Sequence, residues 1–308
     1  MHKNKLVCLL GPTAGGKTKL AAWFCERVGG EIISADSRQV YRGMDIGTGK
    51  DISDYYVEGM LIPYHLIDIR NPGEKYNIFE FANDFKRVYK CISDVGKLPV
   101  LCGGSGLYIE SVIGNYQLLA VPTNDELRKK LQGKTLQELG IILSTYKKLH
   151  NHTDTDTIKR AIRAIEIADY EKLHGKVMQS EPEFNNLIFG IAYDRETRME
   201  RITARLKERL GQGLLEEGRQ LLQNGLSLED MEYYGLEYKY MALHLSGRLS
   251  LDEMAEKLNT AIHQFAKRQM TWFRRMERNG VKIHWIDPNM NFDKKLTYML
   301  TKYQDTFC

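Results

Sequence analysis

A glycine-rich segment near the start of the chain constrains its fold more than any other feature. It fits the pattern G-x-x-x-x-G-K-[ST] and consists of Gly11, Pro12, Thr13, Ala14, Gly15, Gly16, Lys17 and Thr18. The apolar run 5–10 before it predicts a buried strand, and the spacing of 19–28 after it predicts a helix. Glycines let the backbone turn tightly and direct N–H groups inward, and the start of a helix adds partial positive charge. The segment therefore predicts a loop that binds a di- or triphosphate.

Two side chains of this loop have specific predicted roles. Lys17 would supply a mobile cation at the terminal phosphate, and the hydroxyl of Thr18 is our candidate ligand for Mg²⁺. The alternative is a glycine-rich turn without a ligand. A strand before the loop and a helix after it favour phosphate binding, although they do not identify the phosphate compound.

Apolar and amphipathic segments alternate through the first third of the chain. A strand is predicted at 31–35, directly before Asp36, and a helix at 78–95. Another strand is predicted at 98–102, and an apolar run occupies 61–69. Strands that alternate with helices form parallel sheets covered on both faces. We therefore predict the α/β class, with a parallel-sheet core like that of the P-loop NTPases.

The pattern changes near Pro122. From there to about Pro182 the chain is charged, helical in spacing and without good strand candidates. Strand and helix patterns then return, at 187–193, 195–210, 214–222, 251–278 and 281–286. The simplest organisation is a P-loop core in two parts, residues 1–120 and 187–308, interrupted by an inserted helical domain at residues 121–186.

Composition excludes several classes of protein. With 43% hydrophobic and 27% charged residues, the 308-residue chain has ample material for a folded core. No apolar run approaches the roughly 20 residues that span a bilayer, and the run 6–10 is too short for a signal peptide. The five cysteines form no CxxC pair, which argues against a zinc site or a disulfide framework. We expect a cytoplasmic protein without a membrane partner, and a monomer.

The positive charge of the chain is local. The formal net charge is only +4, but six basic residues stand between 267 and 282 with only Glu277 opposing them. They are Lys267, Arg268, Arg274, Arg275, Arg278 and Lys282. A helix there would have one apolar side and one basic side. Such a stripe is usually a solvated face, but with so little acid nearby we favour contact with a polyanion.

The chemistry depends on the carboxylate nearest the phosphate loop. In ATPases and GTPases an apolar strand normally ends in an acid that holds Mg²⁺. Here the strand at 98–102 ends in Gly103-Gly104-Ser105-Gly106, so Asp36 and Asp68 are the remaining candidates. Ligands of parallel α/β folds bind at the carboxyl ends of the strands. This position favours a catalytic base at Asp36 over a carboxylate that only caps its loop.

Several segments together resemble one enzyme family. Besides the phosphate loop, they are Ser34 to Thr48 (Ser-Ala-Asp-Ser-Arg-Gln-Val-Tyr-Arg-Gly-Met-Asp-Ile-Gly-Thr), Gly103 to Tyr108, and Ala266 to Phe273. In this order they are similar to the tRNA dimethylallyltransferase (tRNA isopentenyltransferase) family. The resemblance implies transfer of a dimethylallyl group from dimethylallyl diphosphate to the exocyclic amine of the adenine 3′-adjacent to the anticodon. It also implies Mg²⁺ as cofactor and the anticodon stem-loop of tRNA as partner.

The resemblance implies roles for individual residues. The catalytic residues would be Asp36 as general base, Ser105, which keeps a hydroxyl where the family usually has threonine, and Arg205 at the diphosphate. The residues expected to bind tRNA are Asp36, Ser37, Arg38, Gln39, Ser105, Arg128, Lys159, Arg160, Ala161, Ile162 and Arg163. The alternatives are a surface arginine at Arg205 and a solvated face for the helix that carries Arg160.

One stretch departs from the family pattern. Where the family often has Gly-Tyr-Arg or Gly-Tyr-Lys for contact with tRNA, this chain has Gly235-Leu236-Glu237. A carboxylate at 237 would repel phosphate, so we exclude this stretch from the candidate site; Lys239 could compensate. Two other functions remain open at this point: a small-molecule kinase that uses ATP, and a non-catalytic RNA-binding nucleotide sensor.

Overall fold

The structure, a computed structural model, describes residues 4–114, 121–147, 155–175 and 184–308. The chain divides into two compact units, one formed by Met1–Gly114 with Pro182–Cys308 and the other by Asn115–Glu181. We call the first the core unit and the second the helical module. None of the described helices combines the length and apolar character needed to cross a bilayer.

A parallel sheet of six strands forms the centre of the core unit within the described residues. The strands are β1 (Lys5–Leu10), β2 (Gly30–Ala35), β5 (Tyr64–His65), β6 (Leu98–Gly103), β7 (Asn185–Ile191) and β8 (His284–Ile286). Their order across the sheet is β5-β2-β6-β1-β7-β8. Two short strands, β3 (Tyr56–Val57) and β4 (Met60–Leu61), form a separate antiparallel pair. The parallel sheet confirms the predicted α/β class.

Burial on both faces explains why the central strands have unbroken apolar sequences. The side chains from Leu6 to Leu10 have no exposed surface, and β6 is buried along its whole length. In the register of the sheet, Gly103 lies beside both Leu10 and Ala35. The loops after β1, β2 and β6 therefore leave the sheet at the same edge.

Two apolar segments contribute fewer residues to the sheet than their sequence patterns suggest. The apolar run 61–69 contributes only Tyr64–His65 to the sheet, because Leu66 and Asp68 have φ angles of 62° and 55°, outside the extended region. Asp68 therefore does not end a strand, and its carboxylate pairs with the buried ammonium of Lys50. The segment 281–286 is a strand only at His284–Ile286.

Helices cover both faces of the sheet. One face carries α1 (Lys17–Val28) and α12 (Phe292–Phe307), where the ring centroids of Phe24 and Tyr303 are 5.7 Å apart. The other face carries α2 (Ile78–Asp94), α3 (Gly106–Ile113), α7 (Arg195–Gly211), α8 (Leu214–Gln223), α9 (Leu228–Met231), α10 (Leu236–Leu245) and α11 (Leu251–Arg278). Capping boxes at Asn77–Glu80 and Ser250–Glu253 define where α2 and α11 begin.

The helical module has its own small core. Its described helices are α4 (Asp125–Leu131), α5 (Leu136–Tyr146) and α6 (Ile158–His174). Leu139 and Leu143 of α5 pack with Ala161 and Ile165 of α6, and all four are fully buried. The apolar side of α6 is thus explained by packing within the module.

Candidate active site

The phosphate loop takes a path from β1 to α1 that depends on glycine. A Cβ at Gly11 would lie 2.2 Å from the carbonyl oxygen of Ile191, so no side chain fits there. Gly16 caps α1 with a φ of 73°, in the left-handed region. No side chain caps the first N–H groups of α1. Uncapped N–H groups at a helix start can bind phosphate oxygens.

The ammonium of Lys17 turns back into the phosphate loop. Its Nζ donates a hydrogen bond to the carbonyl oxygen of Pro12 at 2.7 Å. Burial lowers the pKa of Lys17 from 10.5 to about 8. The charge of Arg205 also lowers this pKa, whereas Cys102 and Asp36 act in the opposite direction. A partly buried cation with little compensation would be stabilised by an anionic ligand.

Three arginines of α7 follow one another at four-residue spacing and therefore share one side of the helix. Arg201 donates from Nε to the carbonyl oxygen of Ala14 at 2.9 Å, so it touches the phosphate loop directly. Arg205 forms an ion pair with Asp51, and Arg209 is buried. From the sequence we named only Arg205; the four-residue spacing is the signal that could have identified the other two.

Asp36 follows β2 directly and faces the same region. Its Oδ1 accepts the N–H of Arg38 at 2.9 Å, which fixes the carboxylate. Its Oδ2 accepts no hydrogen bond from the part of the chain that the structure describes. The Oγ of Ser105 accepts the N–H of Ser37 at 3.2 Å, so Ser105 holds the segment that carries Asp36. The structure brings Asp36 and Ser105 together with Lys17 at the carboxyl edge of the sheet.

Two further residues that follow β2 and were predicted to bind tRNA, Arg38 and Gln39, make different contacts. Gln39 is engaged internally: its Oε1 accepts from the hydroxyl of Ser34 at 3.1 Å, and its Nε2 donates to the carbonyl oxygen of Gly49 at 3.0 Å. Arg38 instead lies over an aromatic ring, with its guanidinium carbon 5.3 Å from the centroid of Tyr233. Gln39 thus supports the loop at Gly49, whereas the guanidinium of Arg38 donates no hydrogen bond to the residues that the structure describes.

A buried glutamine of α11 joins two loops of the site. Gln269 accepts the N–H of Thr13 at 2.9 Å and donates to the carbonyl oxygen of Gly104 at 2.9 Å. It fixes the phosphate loop relative to the loop that follows β6. This role of Gln269 was not predicted from the sequence. A signal was present, because a polar residue stands beside Ala266, Met270 and Phe273 on the buried side of the helix.

A second buried side chain that we did not predict holds the loop after Tyr41. Glu217 of α8 accepts the N–H groups of Asp45 and Ile46 at 2.7 Å each, and that of Gly47 at 2.9 Å. It also accepts the hydroxyl of Tyr238 at 2.8 Å. Glu217 thereby fixes the path of the chain up to Gly49, beneath the arginines of α7.

Glu237, which we excluded from the candidate site, lies beside an arginine of α7. The residue stands at the start of α10, and its Oε1 is 3.8 Å from Nη1 of Arg209. Burial raises the pKa of Glu237, Arg209 lowers it, and Asp36 raises it. A neighbouring arginine therefore offsets part of the charge of this carboxylate, which the sequence did not reveal.

The basic stripe of α11 is partly neutralised by an acid that is remote in sequence. Glu110 of α3 pairs with Arg275 and accepts the indole N–H of Trp272 at 2.9 Å. The guanidinium of Arg275 also lies 4.1 Å from the centroid of the Trp272 ring. Our expectation that this helix has too little acid nearby needs correction at Arg275.

In the helical module, the predicted tRNA-binding residues fall into three groups. Arg128 and Arg163 both donate to the fully buried carboxylate of Glu166. Lys159 and Arg160 are exposed, and Arg160 pairs with Asp156 one turn earlier. Ala161 is 0% exposed and Ile162 packs against the core of the module. The side chain of Ala161 therefore packs inside the module, and a contact of this residue with tRNA stays a prediction.

The residues around the phosphate loop fit a magnesium ion. Within the described ranges there is no group of three or more His, Cys, Asp or Glu suited to hold a metal. Mg²⁺ rarely needs such a group, because it keeps several waters and binds substrate phosphates through one or two protein oxygens. The hydroxyl of Thr18, next to Lys17, makes no hydrogen bond with the described part of the chain and is suited to that role.

Known proteins resemble this chain along its whole length. The family model described as IPP transferase matches residues 39–276. The tRNA dimethylallyltransferase 2 of Bacteroides fragilis is 55% identical over 305 residues, which cover 99% of this chain and 100% of the relative. The tRNA dimethylallyltransferase 1 of Geotalea daltonii is 51% identical over 283 residues, or 92% of this chain and 90% of the relative.

Solved structures are also similar to this chain along its length. The full-length tRNA isopentenylpyrophosphate transferase of Bacillus halodurans is 32% identical with a TM-score of 0.72, covering 99% of this chain and 97% of that one. A eukaryotic dimethylallyltransferase whose structure was determined acting on tRNA has a TM-score of 0.79, covering 99% of this chain and 79% of that one. Its identity is 21%, so this likeness concerns the fold.

Proposed function

The chain belongs to the family of tRNA dimethylallyltransferases, enzymes that prenylate tRNA, and we propose that it transfers a dimethylallyl group from dimethylallyl diphosphate to tRNA. The acceptor that we propose is the exocyclic amine of the adenine 3′-adjacent to the anticodon. One observation carries the assignment of the site: Asp36, whose Oδ2 accepts no hydrogen bond from the described residues, and Lys17 of the phosphate loop follow the two strands that flank β6, at one edge of the sheet. Family membership decides against the kinase and the nucleotide sensor.

The donor's diphosphate fits the phosphate loop. The uncapped start of α1 offers N–H groups, and Lys17 adds a positive charge that is incompletely balanced within the protein. These groups would stabilise the charge that develops as diphosphate departs. Bound Mg²⁺ supplies further stabilisation of that charge, and Thr18 would hold it.

Asp36 serves as the general base. The adenine amine is a weak nucleophile that must lose a proton as the new bond forms. Oδ1 of Asp36 is held by the N–H of Arg38, so Oδ2 is left to receive that proton. The hydrogen bond from Ser37 to Ser105 keeps the segment in place during the transfer.

The transfer balances without an additional reactant. The amine nitrogen forms a bond to the first carbon of the dimethylallyl group, and the bond from that carbon to the diphosphate oxygen breaks. The electron pair of the broken bond leaves with the diphosphate, and the amine proton goes to Asp36. Water must be excluded from the electron-poor carbon, which the enclosing loops at Gly104 and Gly49 would favour.

The exposed cations of the helical module, Lys159 and Arg160, would meet the phosphates of the tRNA. Arg128 and Arg163 would act mainly by fixing the module. All residues assigned to donor binding and proton transfer come from one chain, so we propose that a monomer is active. Because its acceptor is tRNA, we propose that it works in the cytoplasm.

The direct test uses an unmodified anticodon stem-loop RNA, dimethylallyl diphosphate and Mg²⁺. Mass spectrometry of the digested RNA should show one C₅H₈ unit added to the adenosine that follows the anticodon. An RNA with guanosine at that position is the matched control, because it lacks the amine at the corresponding atom. Absence of any adduct on the adenosine RNA, with the folded enzyme and bound donor, would contradict the proposed function.

A further inference from the structure

The geometry points to a second anion-binding position beside the phosphate loop. We propose that Arg209, held by Glu237, acts there together with Arg205 and binds a phosphate oxygen of the donor's diphosphate. The identity of the donor in this proposal rests on the proposed function. Arg209 would be a binding residue, and Glu237, which acts through Arg209, a positioning residue.

Arg209 has hydrogen-bonding capacity that the protein leaves unused. The residue is 8% exposed, so its guanidinium is largely withdrawn from water. In the described residues it donates no hydrogen bond, and the carboxylate of Glu237 is 3.8 Å away. A guanidinium carries five N–H donors, and burying donors without acceptors costs free energy. An anionic ligand that brings acceptor oxygens would remove this cost.

Two guanidinium groups converge at this position. A Cβ at Gly49 would lie 1.9 Å from Nη2 of Arg209 and 3.0 Å from Nη2 of Arg205. Both guanidinium groups therefore lie close to the Cα of Gly49, and their positive charges repel each other there. Burial and the charge of Arg205 lower the pKa of Arg209, which is consistent with incomplete compensation. Asp51 pairs with Arg205 but is itself half exposed.

The position favours a small anion over an RNA backbone. Arg201, on the same side of α7 as Arg205 and Arg209, donates to the carbonyl oxygen of Ala14, so this side of the helix faces the phosphate loop. The charge of Arg205 also lowers the pKa of Lys17. Arg209 is too deeply buried for a phosphate flanked by two riboses to approach easily, whereas a terminal phosphate has no such flanks. A diphosphate bound at the loop, as we propose for the donor, would be the phosphate group nearest to these donors.

Glu237 sets the direction of the Arg209 side chain. It stands in the first turn of α10, where the helix dipole stabilises a negative charge. At 3.8 Å it is close enough to orient the guanidinium but too far to use its donors. A carboxylate that would repel phosphate on its own can thus support phosphate binding through its neighbour.

The test measures binding of inorganic diphosphate with Mg²⁺ by calorimetry, and binding of the anticodon stem-loop RNA without donor in a separate arm. Arg209→Met should weaken diphosphate binding about ten- to hundred-fold, the loss expected for a charged hydrogen-bond donor. RNA affinity should stay within about two-fold. Arg209→Lys should recover part of the loss. Arg219→Met, at an exposed arginine of α8, is the matched control.

Glu237→Gln gives the readout for positioning. It should raise the KM for the donor several-fold with kcat nearly unchanged, and have no further effect in the Arg209→Met background. The double variant Arg209→Met/Glu237→Gln leaves no buried carboxylate without a partner, so it keeps the test valid if the single variant does not fold. Equal and additive effects of the two changes would overturn the role of Glu237.

Normal diphosphate affinity in folded Arg209→Met would overturn the role of Arg209. A loss of RNA affinity with normal diphosphate affinity would overturn it as well, by assigning the residue to the RNA backbone. Prenylation of the RNA by the wild-type enzyme is measured separately, because that measurement tests the proposed function. Failure of this inference therefore remains distinguishable from failure of the proposed function.

Discussion

The helical module and the core unit each contain a carboxylate beside arginine, fully buried in the module and partly buried in the core unit, and the two are used very differently. Glu166 of the module accepts from Arg128 at 2.7 and 3.0 Å, from Arg163 at 3.0 Å, and from the N–H of Asn124 at 3.0 Å. Within the described residues, Glu237 of the core unit forms an ion pair with Arg209 alone, at 3.8 Å.

The two carboxylates also differ in the direction of their pKa shifts. Burial acts to raise the pKa of Glu166, but the hydrogen bonds from Arg128, Asn124 and Arg163 outweigh it, so the pKa lies below its ordinary value. Burial outweighs Arg209 at Glu237, whose pKa is raised. In the module, the arginines donate hydrogen bonds to Glu166 and so stabilise the packing of its helices. In the core unit, the guanidinium of Arg209 donates no hydrogen bond to the described residues. Charged side chains with hydrogen-bond donors that the protein leaves unused are typical of ligand sites.

The largest expected effect tests the unused oxygen of Asp36. Asp36→Asn keeps the shape of the side chain but cannot take a proton, so the single-turnover rate should fall about 10²–10⁴-fold. Affinity for tRNA and donor should change only a few-fold. The assay follows prenyl transfer at saturating substrates, so that product release does not hide the chemical step. A near-normal rate would reject Asp36 as the base.

The next largest effect tests how much the arginine partners of Glu166 stabilise the module. Replacing both Arg128 and Arg163 by Met leaves the buried carboxylate of Glu166 without a charged partner, which should cost about 3–5 kcal/mol of the free energy of unfolding of the module. Urea unfolding followed by circular dichroism measures it. The matched control replaces the exposed Lys159 and Arg160 by Met and should change stability by less than about 0.5 kcal/mol. If the two double replacements lowered the free energy of unfolding equally, the buried ion pairs of Glu166 would not be what stabilises the module.

A third prediction uses the lowered pKa of Lys17. Its value of about 8 means that the ligand-free protein loses this charge as the pH rises through that range. The dissociation constant for diphosphate should therefore rise about ten-fold between pH 7 and pH 9, if only the protonated form binds. Calorimetry at several pH values measures it, with Lys17→Arg as control for the ionisation of diphosphate itself. Identical profiles for the two proteins would contradict a buried, uncompensated ammonium.

The smallest effect concerns the exposed cations of α6. Each phosphate contact contributes somewhat less than one unit to the slope of log K against log[salt]. Replacing Lys159 and Arg160 by Met should reduce that slope for tRNA binding by about one to two units. Filter binding at several salt concentrations provides the measurement. An unchanged slope would return these residues to a solvated helix face.

Local sequence patterns determined much of this protein. The phosphate loop, the buried strands and the position of Asp36 after β2 follow from spacing and glycine content, because each involves residues close together in the chain. The lengths of β5 and β8 could not be predicted, since backbone turns within apolar runs leave no clear signal. The basic side of α11 was predicted, but not its neutralisation by Glu110.

Only the tertiary structure decided which charged and polar groups meet. Gln269 bridges Thr13 and Gly104, Glu217 binds the backbone around Ile46, and Glu237 faces Arg209. The partners in these first two contacts are more than 150 residues apart in the chain. Chain composition shows that such side chains exist, but whether an arginine is saturated or keeps its donors for a ligand depends on where folding places the nearest acceptor.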